Sequence, residues 1–166
     1  KFKNKELLIK SLIHKSYDNN NNNEKLEFLG DRVLGLILSE KLLKIYPNEK
    51  EGVIDKKFAN LVNKKTCLTI AKKINLKEFM LRGDSSKKLR RSDDKILGDG
   101  LEALIGSIYL DQGLEITKKF ILENWDDFIR KSNITEIDSK TKLQEYSLKQ
   151  FKILPIYKIF KQSGPQ

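Results

Sequence analysis

Two apolar stretches, LEFLGDRVLGLIL (26–38) and ILGDGLEALIG (96–106), each carry a pair of acids where a helix would bury its surface. On a helix, Glu27 and Asp31 stand four residues apart, nearly on one line. That line continues through Leu34 and Leu38. Asp99 and Glu102 stand three apart, and their line continues through Ala103, Gly106 and Leu110. A solvated acidic face would go on being polar, whereas these two go on apolar. Something must offset the cost of placing carboxylates beside residues that favour burial. Three arrangements do so: acids at the solvent edge of the helix, ion pairs with Lys or Arg, or a shared divalent cation. No Lys or Arg lies on either line within the next two turns, so a basic partner would come from elsewhere. Mg²⁺ takes hard oxygen ligands and is typically held by a few carboxylates beside a substrate phosphate. Gly30 and Gly35 on one helix, and Gly98, Gly100 and Gly106 on the other, predict a close helix–helix approach that gathers the acids. Each costs about 1 kcal/mol of helix propensity relative to Ala, which implies a packing or site requirement.

The charge balance narrows what such an acid cluster could act on. The chain has 166 residues, a net charge of +10 and a pI near 9.5, the balance of a protein that meets a polyanion. An acid cluster with Mg²⁺ in a basic protein suggests phosphodiester chemistry, the metal lowering the pKa of a water for in-line attack. Other nucleophiles are poorly supported. The single histidine, His14, is expected to have no nearby Ser or Cys constellation, and Cys67 reads as a small core residue. No GxxxxGK[ST] loop or CxxC pair occurs. One cysteine excludes an internal disulfide framework and suits a reducing, cytoplasmic compartment. No apolar run approaches the roughly 20 residues of a membrane span, so no membrane partner is expected.

Periodicity places a helix over 2–14, a polar loop over 18–23 that offers Asn as a cap, and a long helix over 24–46 stopped by Pro47. Residues 53–74 read as helix broken near Asn63–Thr66, 82–94 as a basic loop, and 94–110 as the second acid-bearing helix. Residues 114–131 form a helix with Phe120, Ile121, Trp125, Phe128 and Ile129 facing the core. Composition shifts at 131–140. Beyond it come a short helix, SKTKLQEYSLKQ, and an expected strand, PIYKIFKQSG, too short a piece to bury a core alone.

NEKLEFLGDRVLGL (23–36) resembles the signature of ribonuclease III, and ILGDGLEALIGSIYLDQG (96–113) resembles that family's second motif. LIHKSY (12–17) is similar to its first helix end. DSKTKLQEY with LPIYKIFKQSGPQ (138–166) resembles the opening of the double-stranded RNA-binding domain that follows the nuclease domain. The resemblance implies an all-α endonuclease domain, a ribonuclease III-like helical bundle, followed by an incomplete α+β double-stranded RNA-binding domain. Its implied boundaries are a nuclease domain over 1–131, a linker over 132–137 and the truncated second domain over 138–166.

By position, Glu27, Asp31, Asp99 and Glu102 match the family's metal-binding acids, with Asp31 and Glu102 the catalytic pair. Glu24 and Glu51 match supporting acids of the cleft. Gln144 and Glu145 match residues that touch the RNA minor groove. Lys87, Lys88, Arg90 and Arg91, in the basic loop, are candidate phosphate contacts, with a solvated charged loop as the alternative. Phe28 matches an aromatic of the dimer interface, with a plain core Phe as the alternative. Arg32 and Gly98 depart from the family pattern, the first as an added phosphate contact or a solvated arginine. The implied activity is that of a homodimer cutting double-stranded RNA with Mg²⁺, Mn²⁺ substituting, to leave 5′-phosphate and 3′-hydroxyl ends in the processing of ribosomal and other structured RNA. Recognition would rest on A-form shape, phosphates and 2′-hydroxyls. A non-catalytic RNA-binding or scaffolding protein on the same fold is the alternative; its mark would be a lost acid, and all six are present.

Overall fold

The computed structural model of the chain describes residues 1–83, 90–132 and 139–157. The chain divides into two compact units, Lys1–Asn133 and Ile134–Gln166. In the first, helix α1 (Lys5–Ser11) is capped by Asn4, whose side-chain oxygen accepts from the Glu6 and Leu7 backbone N–H groups. It is shorter than the expected 2–14: residues 3 and 4 instead donate their N–H groups to the Asp111 carboxylate at 2.8 and 2.7 Å. Helix α2 (Glu24–Ile45) starts at Asn23, which is buried. Asn23 does not cap with its side chain. Its amide donates to Ser11 O and its backbone N–H to Ile13 O, so it locks the α1–α2 joint.

Helix α3 (Glu51–Val62) and helix α4 (Lys64–Lys73) meet at Asn63, which is extended (φ −68°, ψ 157°). Its side chain accepts from the Thr66 N–H at 2.8 Å, restarting the helix inside the expected break. After α4 the chain turns through Asn75, in the left-handed region (φ 54°), into a 3-10 turn at Leu76–Glu78. Leu81 then forms an isolated parallel bridge with Ile13. Helix α5 (Arg90–Gln112) begins four residues before the expected 94. Its first turn is stabilised by acids. Asp93 pairs with Arg82 and, at 3.5 Å, with Lys77; Asp94 pairs with Lys72 at 3.3 Å. Acids at a helix start are also favoured by its dipole. Gly113, at φ +80°, turns the chain into helix α6 (Leu114–Lys131).

Helices α2 and α5 form the centre, surrounded by α1, α3, α4 and α6. Their crossing is set by glycine. A Cβ on Gly30 would lie 1.7 Å from the Glu102 carbonyl oxygen, and one on Gly106 would lie 2.2 Å from the Leu26 carbonyl oxygen. The two backbones therefore run antiparallel in direct contact. The remaining glycines differ from expectation. Gly100 faces the Met80 thioether rather than α2; Gly35 has ordinary room beside Phe58; Gly98 has open space where a Cβ would stand. The expected face of α6 is inside. Ile121, Trp125 and Ile129 are buried, Phe120 and Phe128 pack against them, and the Trp125 indole donates to Leu61 O at 2.9 Å. Lys57 is buried as well. Its ammonium donates to Ser132 O at 2.7 Å and stands 4.4 Å from the Tyr46 ring centroid.

The second unit is described over helix α7 (Ser139–Phe151) and residues 152–157. Lys152, at φ 59°, ends the helix, and the Ser147 hydroxyl donates to Ile153 O. Residues 155–157 of the expected strand are not in regular structure, and the rest of that strand lies outside the described residues. Extended segments need a neighbour to pair with, and no strand occurs among the described residues. The all-α expectation holds for the first unit.

The glycines give predictions of opposite sign. Gly30→Ala forces a Cβ into backbone and should lower the unfolding free energy by about 3 kcal/mol or more. Gly98→Ala meets nothing and should raise it, by up to about 1 kcal/mol. Urea unfolding of the two variants checks both signs.

Candidate metal centre

The α2–α5 crossing is also where the acids meet. Leu26 and Gly30 on α2 oppose Gly106 and Glu102 on α5, so Glu27, Asp31, Asp99 and Glu102 flank the contact within about one turn. Glu27, Asp99 and Glu102 each bring one carboxylate oxygen within 4.8 Å of the others, and all three are half-buried. The apolar continuation of each line is what holds them there. Leu34 and Leu38 are fully buried beneath the α2 acids, and Ala103 and Gly106 beneath those of α5. Leu110, the last residue of the α5 line, is exposed, so the burial stops one turn short of expectation.

Asp31 stands apart from the other three. Its carboxylate is taken by the neighbouring Arg32, whose guanidinium also lies 5.1 Å from the Phe28 ring centroid. Arg32 is thus a largely exposed arginine that pairs with Asp31 beside the Phe28 ring. Asp31 is nonetheless close enough that its charge raises the Glu102 pKa. Phe28 itself is 65 % exposed, which removes the reading of a core Phe.

The electrostatics of the cluster are unfavourable to its own charge. Burial, then the Asp31, Asp99 and Glu27 carboxylates, push Glu102 up to about 7. Burial and then Asp99 raise Glu27, and burial raises Asp99. Lysines lower the strain, Lys95 and Lys64 ahead of Lys15 at Asp99. Lys95, one turn before Asp99 on α5, lies 4.0 Å from its carboxylate. Lys64, the first residue of α4, holds Asp99 and Glu102 down. Neither stands out in sequence. Lys95 precedes its acid, whereas the apolar line that marks the acid runs the other way; Lys64 arrives from a different helix.

Two cavities meet on the cluster. One, of about 250 Å³, is lined by His14, Lys15, Asn23, Glu24, Glu27, Lys95, Ile96 and Asp99. The other, of about 200 Å³, is lined by Glu27, Lys64, Cys67, Asp94, Lys95, Gly98, Asp99 and Glu102. Glu24 thus joins the site, paired with Lys15 at 2.7 Å. Glu51, exposed in the first turn of α3, lines neither cavity. Cys67 is buried as expected, and burial beside Glu102 and Asp31 pushes its thiol up to about 12, which makes it a poor nucleophile. His14 does have a serine partner: its Nδ1 lies 2.8 Å from Ser16 Oγ. That pair is a turn brace, since the same nitrogen accepts the Ser16 backbone N–H and Ser16 Oγ accepts the Gly83 N–H. Lys87 and Lys88 lie outside the described residues, as do the side chains of Arg90 and Arg91. Gln144 and Glu145 sit on α7, half-buried and exposed respectively.

The donor set suits a hard cation. Every ligand atom in the group is a carboxylate oxygen, with no imidazole or thiolate among them. Neighbouring oxygens on an octahedral Mg²⁺ are about 3 Å apart, so oxygens lying within 4.8 Å of one another would draw together by side-chain rotation to share one ion.

Residues 4–146 match a family model described as ribonuclease-III-like. The chain belongs to the ribonuclease III family. It is 61 % identical over 166 residues to Ribonuclease 3 of Pelagibacter ubique, covering all of this chain and 75 % of that protein. Over 173 residues it is 42 % identical to Ribonuclease 3 of Leptospira interrogans, covering 99 % of this chain and 70 % of that one. Among solved structures, the nuclease domain of ribonuclease III from Campylobacter jejuni matches with a TM-score of 0.72 and 41 % identity, over 80 % of this chain and 90 % of that one. That structure is described as flexible in a region involved in dimer formation. The first unit of this chain is thus a ribonuclease III nuclease fold, and the acid cluster lies on its two central helices.

With chelator present, the cluster makes folding pH-dependent. Glu102 holds its proton more tightly when folded, about 7 against an ordinary 4.5. The folded state therefore binds more protons between those values, and stability falls as pH rises through them. Glu27 and Asp99 act in the same direction. Glu102→Gln should flatten part of this slope and, above pH 7, stabilise the metal-free protein by roughly 1–2 kcal/mol. Thermal melts in EDTA from pH 4 to 8 measure it.

Proposed function

We propose that this ribonuclease III is a Mg²⁺-dependent endonuclease that cuts double-stranded RNA as a homodimer, each subunit supplying one metal site and cutting one strand. The observation that carries it is the acid cluster. Carboxylates from two central helices are drawn together against their own repulsion, in a protein of net charge +10. Such a cluster in a basic chain fits a site that takes a cation and then a polyanion. Glu27, Asp99 and Glu102 would hold the ion, with Asp31 as a fourth ligand once it leaves Arg32; Mn²⁺, equally an oxygen-seeking ion, would substitute. When bound, the cation supplies Lewis-acid activation of water and neutralises charge at the reacting phosphate. The chain's own residues do the rest. Leu34, Leu38 and Ala103 keep the back of the site dry, and the α2–α5 contact fixes the spacing of the acids. The products would carry 5′-phosphate and 3′-hydroxyl ends.

Phe28, exposed on α2 beneath Arg32, is the aromatic we assign to the dimer interface. We assign 138–166 to the opening of a double-stranded RNA-binding domain, with Gln144 and Glu145 facing the RNA and 132–137 as the linker. Its motif resemblance supports this, as do Leu143, Tyr146 and Leu148, exposed apolar residues of α7 that a complete domain would bury. Ribosomal and other structured RNAs in the cytoplasm are the substrates this reading favours. A non-catalytic scaffold would not need to retain all six acids, among them Glu24 and Glu51.

The experiment is incubation of the full chain with a long RNA duplex, in Mg²⁺ or in EDTA, read on a denaturing gel. Wild type should give short fragments in Mg²⁺ and none in EDTA. Glu102→Gln should leave the duplex intact while still retarding it on a native gel. Cleavage by Glu102→Gln at the wild-type rate would remove the acid cluster from the mechanism.

A further inference from the structure

The cations that rim the cluster raise a question the acids do not answer. Four carboxylates with one divalent cation still leave the site two charges negative, and an RNA phosphate brings one more. Unless local positive charge meets it, the strand is repelled at the place where it must be cut. Three lysines line the two cavities, Lys15, Lys64 and Lys95. Lys15 is committed to Glu24 at 2.7 Å. Lys64 is exposed and makes no ion pair among the described residues. Lys95 reaches only Asp99, at 4.0 Å and with its side chain 65 % exposed. A cation taken up by Asp99 removes even that partner. Position separates Lys95 from an ordinary surface lysine: with Glu27 and Asp99 it forms the wall shared by both cavities, whereas Lys64 lines only the second.

Resting on the double-stranded RNA reading above, we propose that Lys95 and Lys64 are positioning residues that hold backbone phosphates of the strand beside the acid cluster, Lys95 at the junction of the two cavities and Lys64 in the second. They act on the substrate and not on the metal, because an ammonium beside a metal site can only compete with the ion. Their loss therefore weakens substrate binding while leaving metal binding intact or tighter. The same charges compensate the acids before metal arrives, which explains why Lys64 holds Asp99 and Glu102 down.

The test compares Lys95→Met and Lys64→Met with Lys119→Met, a control on α6 whose lysine reaches only Glu123 at 3.9 Å. Cleavage of a long RNA duplex in Mg²⁺ is followed against substrate and salt concentration, and Mn²⁺ alone is titrated calorimetrically. Each of the two variants should raise KM about tenfold with kcat little changed, the pattern of a lost ground-state contact. Each should also flatten the dependence of log kcat/KM on log salt by about 0.9. Mn²⁺ affinity should hold or rise, Lys95→Arg should restore KM, and Lys119→Met should match wild type. KM values equal to that of Lys119→Met overturn the proposal, as does Mn²⁺ affinity that falls in step with activity, which would make these lysines props of the metal site. A wild-type chain that binds Mn²⁺ but leaves the duplex uncut would instead overturn the double-stranded RNA reading, and the phosphate assignment with it.

Discussion

Backbone contact between two helices fixes everything else in the first unit. Gly30 presses against the Glu102 carbonyl and Gly106 against the Leu26 carbonyl, with no room for a Cβ at either place. Because the glycines and the acids alternate along the same turns, bringing the helices to contact also brings the carboxylates together. The core beneath is arranged around that crossing. Leu34, Leu38, Leu101 and Ile105 fill it, and Trp125 on α6 ties into α3 through Leu61. The two requirements conflict electrostatically, since close packing is what drives the acids above their ordinary pKa values. The fold thus keeps its site in a state that a cation relieves.

That stored repulsion is managed by a few basic side chains. Arg32 occupies Asp31, Lys15 occupies Glu24, and Lys95 stands near Asp99. Lys95 is the loosest of them, 4.0 Å from Asp99 with its side chain 65 % exposed, so it can exchange that carboxylate for another anion at little cost. A site built from buried ion pairs would instead resist the entry of metal. In the activity proposed above, a bound cation would take the place of Lys95 beside Asp99, and the freed ammonium would then be available to a phosphate of the strand.

Much of this was legible in the sequence because it depended on local pattern. The acids on apolar lines, the helix break at Asn63, the buried face of α6 and the all-α class all follow from spacing within one helix. What was not legible depended on which helix meets which. Five glycines looked equivalent, yet only Gly30 and Gly106 form the crossing, while Gly98 faces open space. Spacing alone gives Asp31 the same standing as Glu27, and nothing in the pattern reveals that Arg32 holds its carboxylate. Lys64 comes from another helix, so no spacing rule finds it. The early start of α5 was hidden because RRSDD reads as a charged loop until Arg82, Lys77 and Lys72 arrive to pair with its acids.

The most direct test is a crystal of the protein grown with Mn²⁺, with anomalous scattering measured to locate the ion. A peak is expected on the α2–α5 crossing, within about 2–2.5 Å of oxygens from Glu27, Asp99 and Glu102, with Asp31 turned away from Arg32. An intact acid cluster with no peak, at a Mn²⁺ concentration that supports cleavage, would contradict that expectation.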